Sequence, residues 1–243
     1  MTTQSEPKEY YNTTPESVVS VTRGHASEDV VALRQRFVVD EKKWLPETHK
    51  EGHDEYDDNL ATLHLGRENA DGQTIASMRL TRINNYEHSM SIIMLRGNEA
   101  MAQQALTQAQ RFYESADDGN LWDLTRLVDT LEWCSPEERE EVVKAMLELL
   151  GAGLTVTRTP EHPAPIWIFT LESQLKDFLD ACQIKTEVIA RGKLNESDEY
   201  ETLFCMIDPA ESMQLLEENT SEESGMLFAR TAIQCGRDNV KTV

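Results

Sequence analysis

Two apolar stretches of this chain carry isolated charges. Residues 76–80 (ASMRL) place Arg79 near the end of a predicted strand, and residues 121–129 (LWDLTRLVD) place Asp123 and Arg126 inside another. Charges within an apolar strand are tolerated when they are paired or when a site uses them. We therefore expect these three side chains to line a polar site. The alternative is a purely structural ion pair of Arg79 with Asp123.

A third stretch, residues 34–58, supplies groups that could meet them. It opens as an amphipathic helix that carries Arg34, breaks at Trp44, and ends in an acidic cluster that includes Asp54 and Asp57. Such carboxylates would attract a cationic substrate, and an indole could cover it by stacking or by cation–π contact. A core tryptophan and a solvated acidic pair are the alternative interpretations.

The same stretch contains His49 and His53 with Glu51 between them. Their order does not match the HExxH pattern of zinc proteases, and Gly52 disfavours a helix there. We therefore predict no metal site.

Composition excludes several classes of partner. The chain has 23 basic and 44 acidic residues, a net charge of −21, which argues against nucleic-acid or anionic-membrane binding. No apolar run approaches the roughly 20 residues of a membrane span, and the polar N-terminus lacks a secretion signal. The four scattered cysteines show neither disulfide nor zinc spacing. A soluble, cytoplasmic protein is expected.

Hydrophobic periodicity predicts alternating strands and helices. The helix that follows Ser135 shows a capping box with Glu138 and is expected to end near residue 150, at Gly151 or Gly153. The element order predicts an α/β sandwich with a mixed central sheet. The remaining predicted elements are helices at 27–44, 99–115, 173–182 and 210–218, strands at 18–22, 60–65, 74–80, 121–128, 166–171, 187–191 and 202–207, and a short strand or helix start at 91–95.

Three segments are expected from the same pattern. Residues 1–16 are predicted to be a mobile leader, 17–208 a single domain, and 209–243 an acidic C-terminal tail with room for short helices.

In combination, these motifs resemble those of the LuxI-type acyl-homoserine-lactone synthases, a GNAT-like family of N-acyltransferases. The resemblance covers roughly residues 18–207. Val38 stands where the family has an aromatic residue, and Asp123 and Thr125 replace its Glu and Ser. The matching segments are Arg34-Val38-Trp44 in spacing, 54–57 (DEYD), 77–81 (SMRLT) and 122–126 (WDLTR).

The resemblance implies a GNAT-like three-layer αβα sandwich with a mixed, splayed central sheet. It also implies transfer of a fatty acyl group from a thioester to the amine of S-adenosylmethionine, followed by lactonisation to a quorum-sensing signal. The implied residues are Asp123, Arg126 and Arg79 for catalysis, Arg34, Val38, Trp44, Asp54 and Asp57 for substrate binding, and Trp167, Phe169 and Met146 for the acyl pocket.

No permanently bound cofactor is implied, since S-adenosylmethionine and the acyl thioester are substrates. The acyl donor is an acyl-carrier protein or CoA, and the absence of the usual GNAT pyrophosphate loop favours the carrier protein. Carrier proteins are acidic, so docking needs a local basic patch on this acidic chain. The candidates are Arg111, Arg139, Lys144 and Arg158.

Two alternatives remain open at this point. The chain could acylate another amine, such as an amino acid, without forming a lactone, because two family positions are substituted. It could also be a homologue that binds without turnover. The sequence does not indicate the oligomeric state.

Overall fold

The computed structural model describes residues 18–41, 56–115, 120–160, 165–182, 184–196, 198–218 and 224–242. Several predicted features lie outside these residues: the leader at 1–16, Trp44, His49, His53 and Asp54.

Eight strands and seven α-helices alternate along the described chain, with a π-helical segment, Gln35–Glu41, directly after the first helix. Short 3-10 turns occupy Tyr86–His88 and Leu95–Gly97. The elements are β1 (Val19–Arg23), α1 (Glu28–Arg34), β2 (Thr62–Glu68), β3 (Thr74–Arg82), α2 (Met90–Met94), α3 (Glu99–Ser115), β4 (Leu121–Asp129), α4 (Arg139–Thr157), β5 (Ile166–Glu172), α5 (Ser173–Ala181), β6 (Thr186–Gly192), β7 (Thr202–Ile207), α6 (Pro209–Glu218), α7 (Ser224–Asp238) and β8 (Val240–Thr242).

All strands join one sheet in the order β6-β7-β5-β4-β3-β2-β1-β8. The pairs β4–β5 and β1–β8 are parallel and the others antiparallel, so the sheet is mixed. The β2–β3 hairpin turns where the sequence predicted: the side-chain oxygen of Asn69 accepts from the backbone N–H of Asp71 and Gln73, and Gly72 supplies a φ of 76°.

The two parallel strands in the middle of the sheet part soon after they meet. β4 and β5 pair only through Leu121–Asp123 on β4 and residues 166–168 on β5. Beyond Asp123, β4 stays with β3 and β5 stays with β7. The sheet is therefore splayed between β4 and β5.

Helices cover both faces of the sheet. The face that packs on α4, α5 and α7, called here the α4 face, carries the main apolar core. The opposite face, covered by α1, α2 and α3 and called the α3 face, holds two smaller clusters. Alternation along β7 shows the division: Leu203 and Cys205 belong to the main core, and Phe204 to the α3 side. The structure confirms the predicted three-layer αβα sandwich with a mixed, splayed sheet.

The prediction that α4 ends at Gly151 or Gly153 is wrong, since the helix continues to Thr157. These glycines allow close packing instead. A Cβ at Gly151 would lie 2.0 Å from the carbonyl oxygen of Ile233 on α7, and one at Gly153 would meet Met78 at 2.7 Å. A glycine required by close helix packing and one that ends a helix look alike in a sequence.

The C-terminal segment contributes to the fold. α7 packs on α4, where a Cβ at Gly236 would lie 1.9 Å from the carbonyl oxygen of Glu148. β8 extends the sheet beside β1. Whether residue 208 marks a domain boundary stays a prediction.

None of the helices in the described ranges is long and apolar enough to cross a membrane.

Candidate functional site

A buried ion cluster joins three of the predicted site residues. Oδ1 of Asp57 accepts a hydrogen bond from Nη1 of Arg34 and another from Nη1 of Arg79, each at 3.0 Å. None of the three side chains is more than 1% exposed. Arg34 comes from the last residue of α1 and Arg79 from β3, so the carboxylate fastens the helix to the sheet.

His64 on β2 completes this cluster. Its Nδ1 lies 3.2 Å from Nη1 of Arg34, and its Nε2 lies 3.1 Å from the carbonyl oxygen of Asp57. Because a guanidinium only donates, Nδ1 accepts and Nε2–H donates, which defines a neutral imidazole. Burial, and then the charge of Arg34, lowers the pKa of His64 to about 4, although Asp57 acts in the opposite direction.

The cluster reaches the neighbouring strand through Thr125 on β4. Nε of Arg79 donates to the hydroxyl of Thr125 at 2.9 Å. Tyr56, the aromatic residue of the acidic motif, lies against the same arginine, with its ring centroid 5.4 Å from the guanidinium carbon. Asp123 lies two residues before Thr125, on the same face of β4.

Asp123 is 2% exposed and is held by neutral donors. Its Oδ2 accepts from the hydroxyl of Ser89 at 2.8 Å and from the backbone N–H of Ser91 at 3.2 Å. Its Oδ1 accepts from the hydroxyl of Ser91 at 2.5 Å. Burial raises the pKa of Asp123, whereas the hydrogen bonds of both serines and the charge of Arg79 lower it. The net shift is upward, so burial outweighs the donors.

These groups form a polar half of the α3 face, carried by His64, Arg79, Thr81, Asp123 and Thr125 on β2, β3 and β4. The remaining half, on β5, β6 and β7, is apolar and packs on α3. The two halves meet at β4 and β5, where the strands part.

Arg126 lies in an irregular part of β4. Residues 126 and 127 are inserted opposite Met78, between the pairs Arg79–Thr125 and Ser77–Val128, and Arg126 has a φ of 53°. A bulge with a positive φ at a non-glycine residue redirects a side chain and turns backbone groups out of the ladder.

The three residues predicted for the acyl pocket lie together in the main apolar core. Trp167 and Phe169 point to the α4 face from β5, and Met146 comes from α4. They are at most 5% exposed. They therefore lie on the opposite face of the sheet from Asp123.

An open cleft of about 480 Å³ lies elsewhere, between α1, the β2–β3 turn and the start of α4. The guanidinium carbon of Arg36 lies there 3.9 Å from the ring centroid of Trp133. No predicted site residue within the described ranges lines this cleft. The site is therefore assigned by its chemistry and not by an open cavity.

Comparison of the sequence with protein-family models and with curated proteins found no match. Solved structures match in fold. BjaI, a CoA-dependent acyl-homoserine lactone synthase solved with SAM and isopentyl-CoA, aligns with a TM-score of 0.60 at 13% identity over 94% of each chain. LasI, an acyl-homoserine lactone synthase, gives 0.54 at 13% identity over 80% of this chain and 90% of its own. FeeM, an N-acyl amino acid synthase from uncultured soil microbes, gives 0.52 at 10% identity over 84% and 96%.

This chain has the acyl-homoserine-lactone synthase fold. FeeM aligns almost as well as LasI, so the shared fold does not distinguish lactone formation from other N-acyl transfer.

One motif residue, Val38, lies in a small apolar cluster, and its role in substrate binding stays a prediction. Val38, predicted to bind substrate, is 1% exposed and packs with Leu33 and Val128. It is a core residue of the π-helical segment. π-Helical turns are rare overall, but those that occur are often found at functional sites.

Sequence reasoning missed His64, Ser89 and Ser91. His64 could have been found, because it is a polar residue between Leu63 and Leu65 in a strand, as Asp123 is in β4. The serines gave no such signal, since they lie 34 and 32 residues from Asp123. In the described part of the chain, no group of three or more His, Cys, Asp or Glu side chains could hold a metal ion.

Proposed function

We propose that this chain is an N-acyltransferase that moves a fatty acyl group from a thioester to the amine of S-adenosylmethionine and releases an acyl-homoserine lactone. One observation carries the proposal. Asp123, a buried carboxyl with a raised pKa, is the last residue of β4 that pairs with β5 before the strands part. This position at the end of the β4–β5 pairing supports a role for Asp123 as the proton acceptor.

The two substrates would approach that gap from opposite faces. The apolar residues Trp167, Phe169 and Met146 would receive the acyl chain on the α4 face. The polar half of the α3 face would receive the cationic acceptor, since sulfonium and ammonium groups favour a carboxylate-bearing surface. Because Asp123 is only 2% exposed, binding must widen the gap between β4 and β5.

The chemistry proceeds in two balanced steps. The amine nitrogen attacks the thioester carbonyl, the C–S bond breaks, and the amine proton passes to Asp123 and then to the leaving thiolate. The methionyl carboxylate then attacks its own γ-carbon, and the bond to the sulfonium breaks with its electron pair on sulfur. Methylthioadenosine and the lactone leave.

The arginines would serve different purposes. Arg34 and Arg79 are committed to Asp57 and fix α1, β2 and β3 around the site. Arg126, on the bulge, would bind the methionyl carboxylate, and backbone N–H groups at the bulge would meet the oxyanion. Asp57 would then organise the acceptor site; Trp44 and Asp54, outside the described residues, are proposed to contact the acceptor directly.

A second candidate acceptor is another amine, such as an amino acid, acylated without lactone formation. The observation that favours it is that Val38, which replaces the family's aromatic residue, is buried in a core cluster and presents no ring to a substrate. An acceptor without an adenosyl group needs no stacking partner at this position.

The donor remains a thioester of CoA or of an acyl-carrier protein. The four candidate basic residues for carrier docking do not form one patch, because Arg111 is on α3, whereas Arg139 and Lys144 are on α4 across the sheet. Nζ of Lys144 is also 3.6 Å from Oε1 of Glu148. This arrangement favours CoA over an acidic carrier.

The test is product analysis with purified protein. Fatty acyl-CoA and acyl-carrier-protein thioesters are each incubated with S-adenosylmethionine or with an amino-acid mixture, and products are identified by mass spectrometry. Acyl-homoserine lactone together with methylthioadenosine supports the proposal. An N-acyl amino acid without methylthioadenosine supports the second candidate, and the absence of any acyl product with either donor contradicts both.

The matched variants are Asp123→Asn, which keeps the shape and removes the proton acceptor, and Ser77→Ala, which changes a buried serine whose hydroxyl makes no hydrogen bond to Asp123. We expect the first to lower turnover about 10²- to 10⁴-fold and the second to leave it near the wild-type value. Equal turnover in Asp123→Asn and wild type would remove Asp123 from the mechanism.

A further inference from the structure

The carboxylate of Asp123 has few acceptor positions left. An ionised carboxylate has about four lone-pair sites, two on each oxygen. At Oδ2, both are taken by the hydroxyl of Ser89 and the backbone N–H of Ser91. At Oδ1, one is taken by the hydroxyl of Ser91. Within the described part of the chain, one acceptor position of Asp123 receives no donor, and it is on Oδ1.

Ser91 also connects the two strands that part. Its carbonyl oxygen accepts a hydrogen bond from the hydroxyl of Thr170 on β5 at 2.9 Å, while its N–H and hydroxyl donate to Asp123 on β4. Thr170 lies two residues beyond Ile168, the last residue of β5 that pairs with β4. Ser91 therefore spans the gap on the α3 face and replaces the missing strand pairing.

We propose that Ser91, together with Ser89, is a positioning residue for the proton acceptor: the two serines turn an acceptor site on Oδ1 of Asp123 toward the incoming amine and hold that carboxyl ionised. The hydrogen bonds of Ser89 and Ser91 to Asp123 are called here the clamp. The identity of the amine rests on the proposed function, whereas the geometry of the clamp is independent of it.

The direction of the effect follows from the groups around Asp123. The charged or titratable residues on the neighbouring elements are Arg79 and Arg82 on β3, Glu172 on β5, and Tyr86, Glu87 and His88 in the 3-10 turn before α2. Of these, Arg79 lowers the pKa of Asp123, and the serine donors lower it further against the effect of burial. Removing a serine therefore raises the pKa, because the ionised form loses a donor while burial persists.

The experiment measures that pKa directly. Protein labelled with ¹³C at aspartate carboxyl carbons is titrated by NMR, and the Asp123 signal is assigned as the one missing from Asp123→Asn. In Ser91→Ala we expect the midpoint to rise by about one to two pH units, the usual strength of a hydrogen bond to a charged group. Ser89→Ala should shift it in the same direction, and Ser91→Thr, which keeps the hydroxyl, should restore most of the wild-type value.

Turnover against pH is measured on the same variants. The amine is deprotonated only by the ionised carboxylate, so the acidic limb of the kcat profile should move upward by the same amount as the NMR midpoint. A variant that merely loosens the fold would lower kcat without moving the limb.

Two matched variants separate the clamp from general effects of mutation. Ser77→Ala removes another fully buried serine, on β3, and should leave the Asp123 midpoint unchanged. Thr170→Val is nearly isosteric and removes the donor that holds the carbonyl of Ser91, so it should raise the midpoint by less than Ser91→Ala does. It also serves if Ser91→Ala fails to fold.

The outcomes are distinguishable. An unchanged Asp123 midpoint in both Ser91→Ala and Ser89→Ala overturns the clamp, whatever the enzyme does. A shifted midpoint in a protein that yields no acyl product overturns the proposed function and supports the clamp. A shifted midpoint with an unshifted acidic limb overturns the positioning role.

Discussion

Asp57 and Asp123 are buried acids under the same helical layer, yet their surroundings are opposite. Asp57 accepts from the guanidiniums of Arg34 and Arg79. Asp123 accepts from two hydroxyls and one backbone N–H, and no cation contacts it directly among the described residues. The same type of side chain therefore has charged partners at one position and neutral partners at the other.

A carboxylate that accepts from guanidiniums of two different elements ties those elements together. A carboxylate among neutral donors keeps a raised pKa and remains able to take up a proton. The first arrangement suits organisation and the second suits proton transfer. We therefore assign Asp57 to holding the site and Asp123 to the chemistry.

The largest expected effect is on the stability of the Asp57 cluster. Asp57→Ala leaves two buried guanidiniums without this carboxylate, and breaking a buried ion pair by removing one partner costs about 3–5 kcal/mol. Urea unfolding monitored by circular dichroism measures this loss. The control is Asp58→Ala, an exposed neighbour, for which less than about 1 kcal/mol is expected. Equal effects at the two positions would remove the distinction between cluster and surface.

The second effect tests the neutral histidine of the same cluster. The pKa of His64 falls from 6.5 to about 4 on folding. Between these two pH values, the imidazole is protonated in the unfolded chain and neutral in the folded protein. This contribution to stability is fully present above about pH 6.5 and is lost as the pH falls from there to about 4, by about 3 kcal/mol. Unfolding free energies measured across this range should show that slope.

His64→Gln provides the control for the histidine. A glutamine can accept from Arg34 and donate to the carbonyl of Asp57 but does not titrate. The slope assigned to His64 should disappear while stability at pH 7 stays near the wild-type value. An unchanged slope would show that other groups titrate there and that His64 is not held neutral.

The fold was largely predictable because most of its helices and strands are encoded by patterns within a short segment of sequence. The periodicity at 99–115 predicted α3 to the residue, and the strand at 202–207 likewise matches β7. The helix end at Gly151 was wrong because a glycine that admits α7 is indistinguishable in sequence from one that stops a helix. That distinction depends on contacts between elements far apart in the chain.

The site was predictable in its charged members and not in its neutral ones. Arg79 interrupts an apolar strand, and Arg34 and Asp57 belong to the motif segments around residues 34–57. The structure brings the three side chains together. Ser89 and Ser91 interrupt nothing, since serine is ordinary in a polar turn. Their importance follows from the parting of β4 and β5, a feature of the assembled sheet that no short segment encodes.

The smallest expected effect is a gain in stability on substitution of Asp123, opposite to the loss expected for Asp57. The pKa of Asp123 is raised in the folded protein, so its contribution to stability is full below its ordinary value of 3.8 and is lost as the pH rises through the folded-state pKa. Above that folded-state pKa the ionised carboxylate therefore opposes folding. Asp123→Asn removes that charge and keeps an acceptor for the N–H of Ser91, so the variant should unfold at a higher urea concentration than the wild type at pH 7, although turnover falls. The advantage should vanish near pH 3, where the wild-type carboxyl is protonated. If Asp123→Asn instead destabilises the protein at pH 7, as removal of Asp57 does, then Asp123 is also a paired structural carboxylate and the division of labour between the two acids fails.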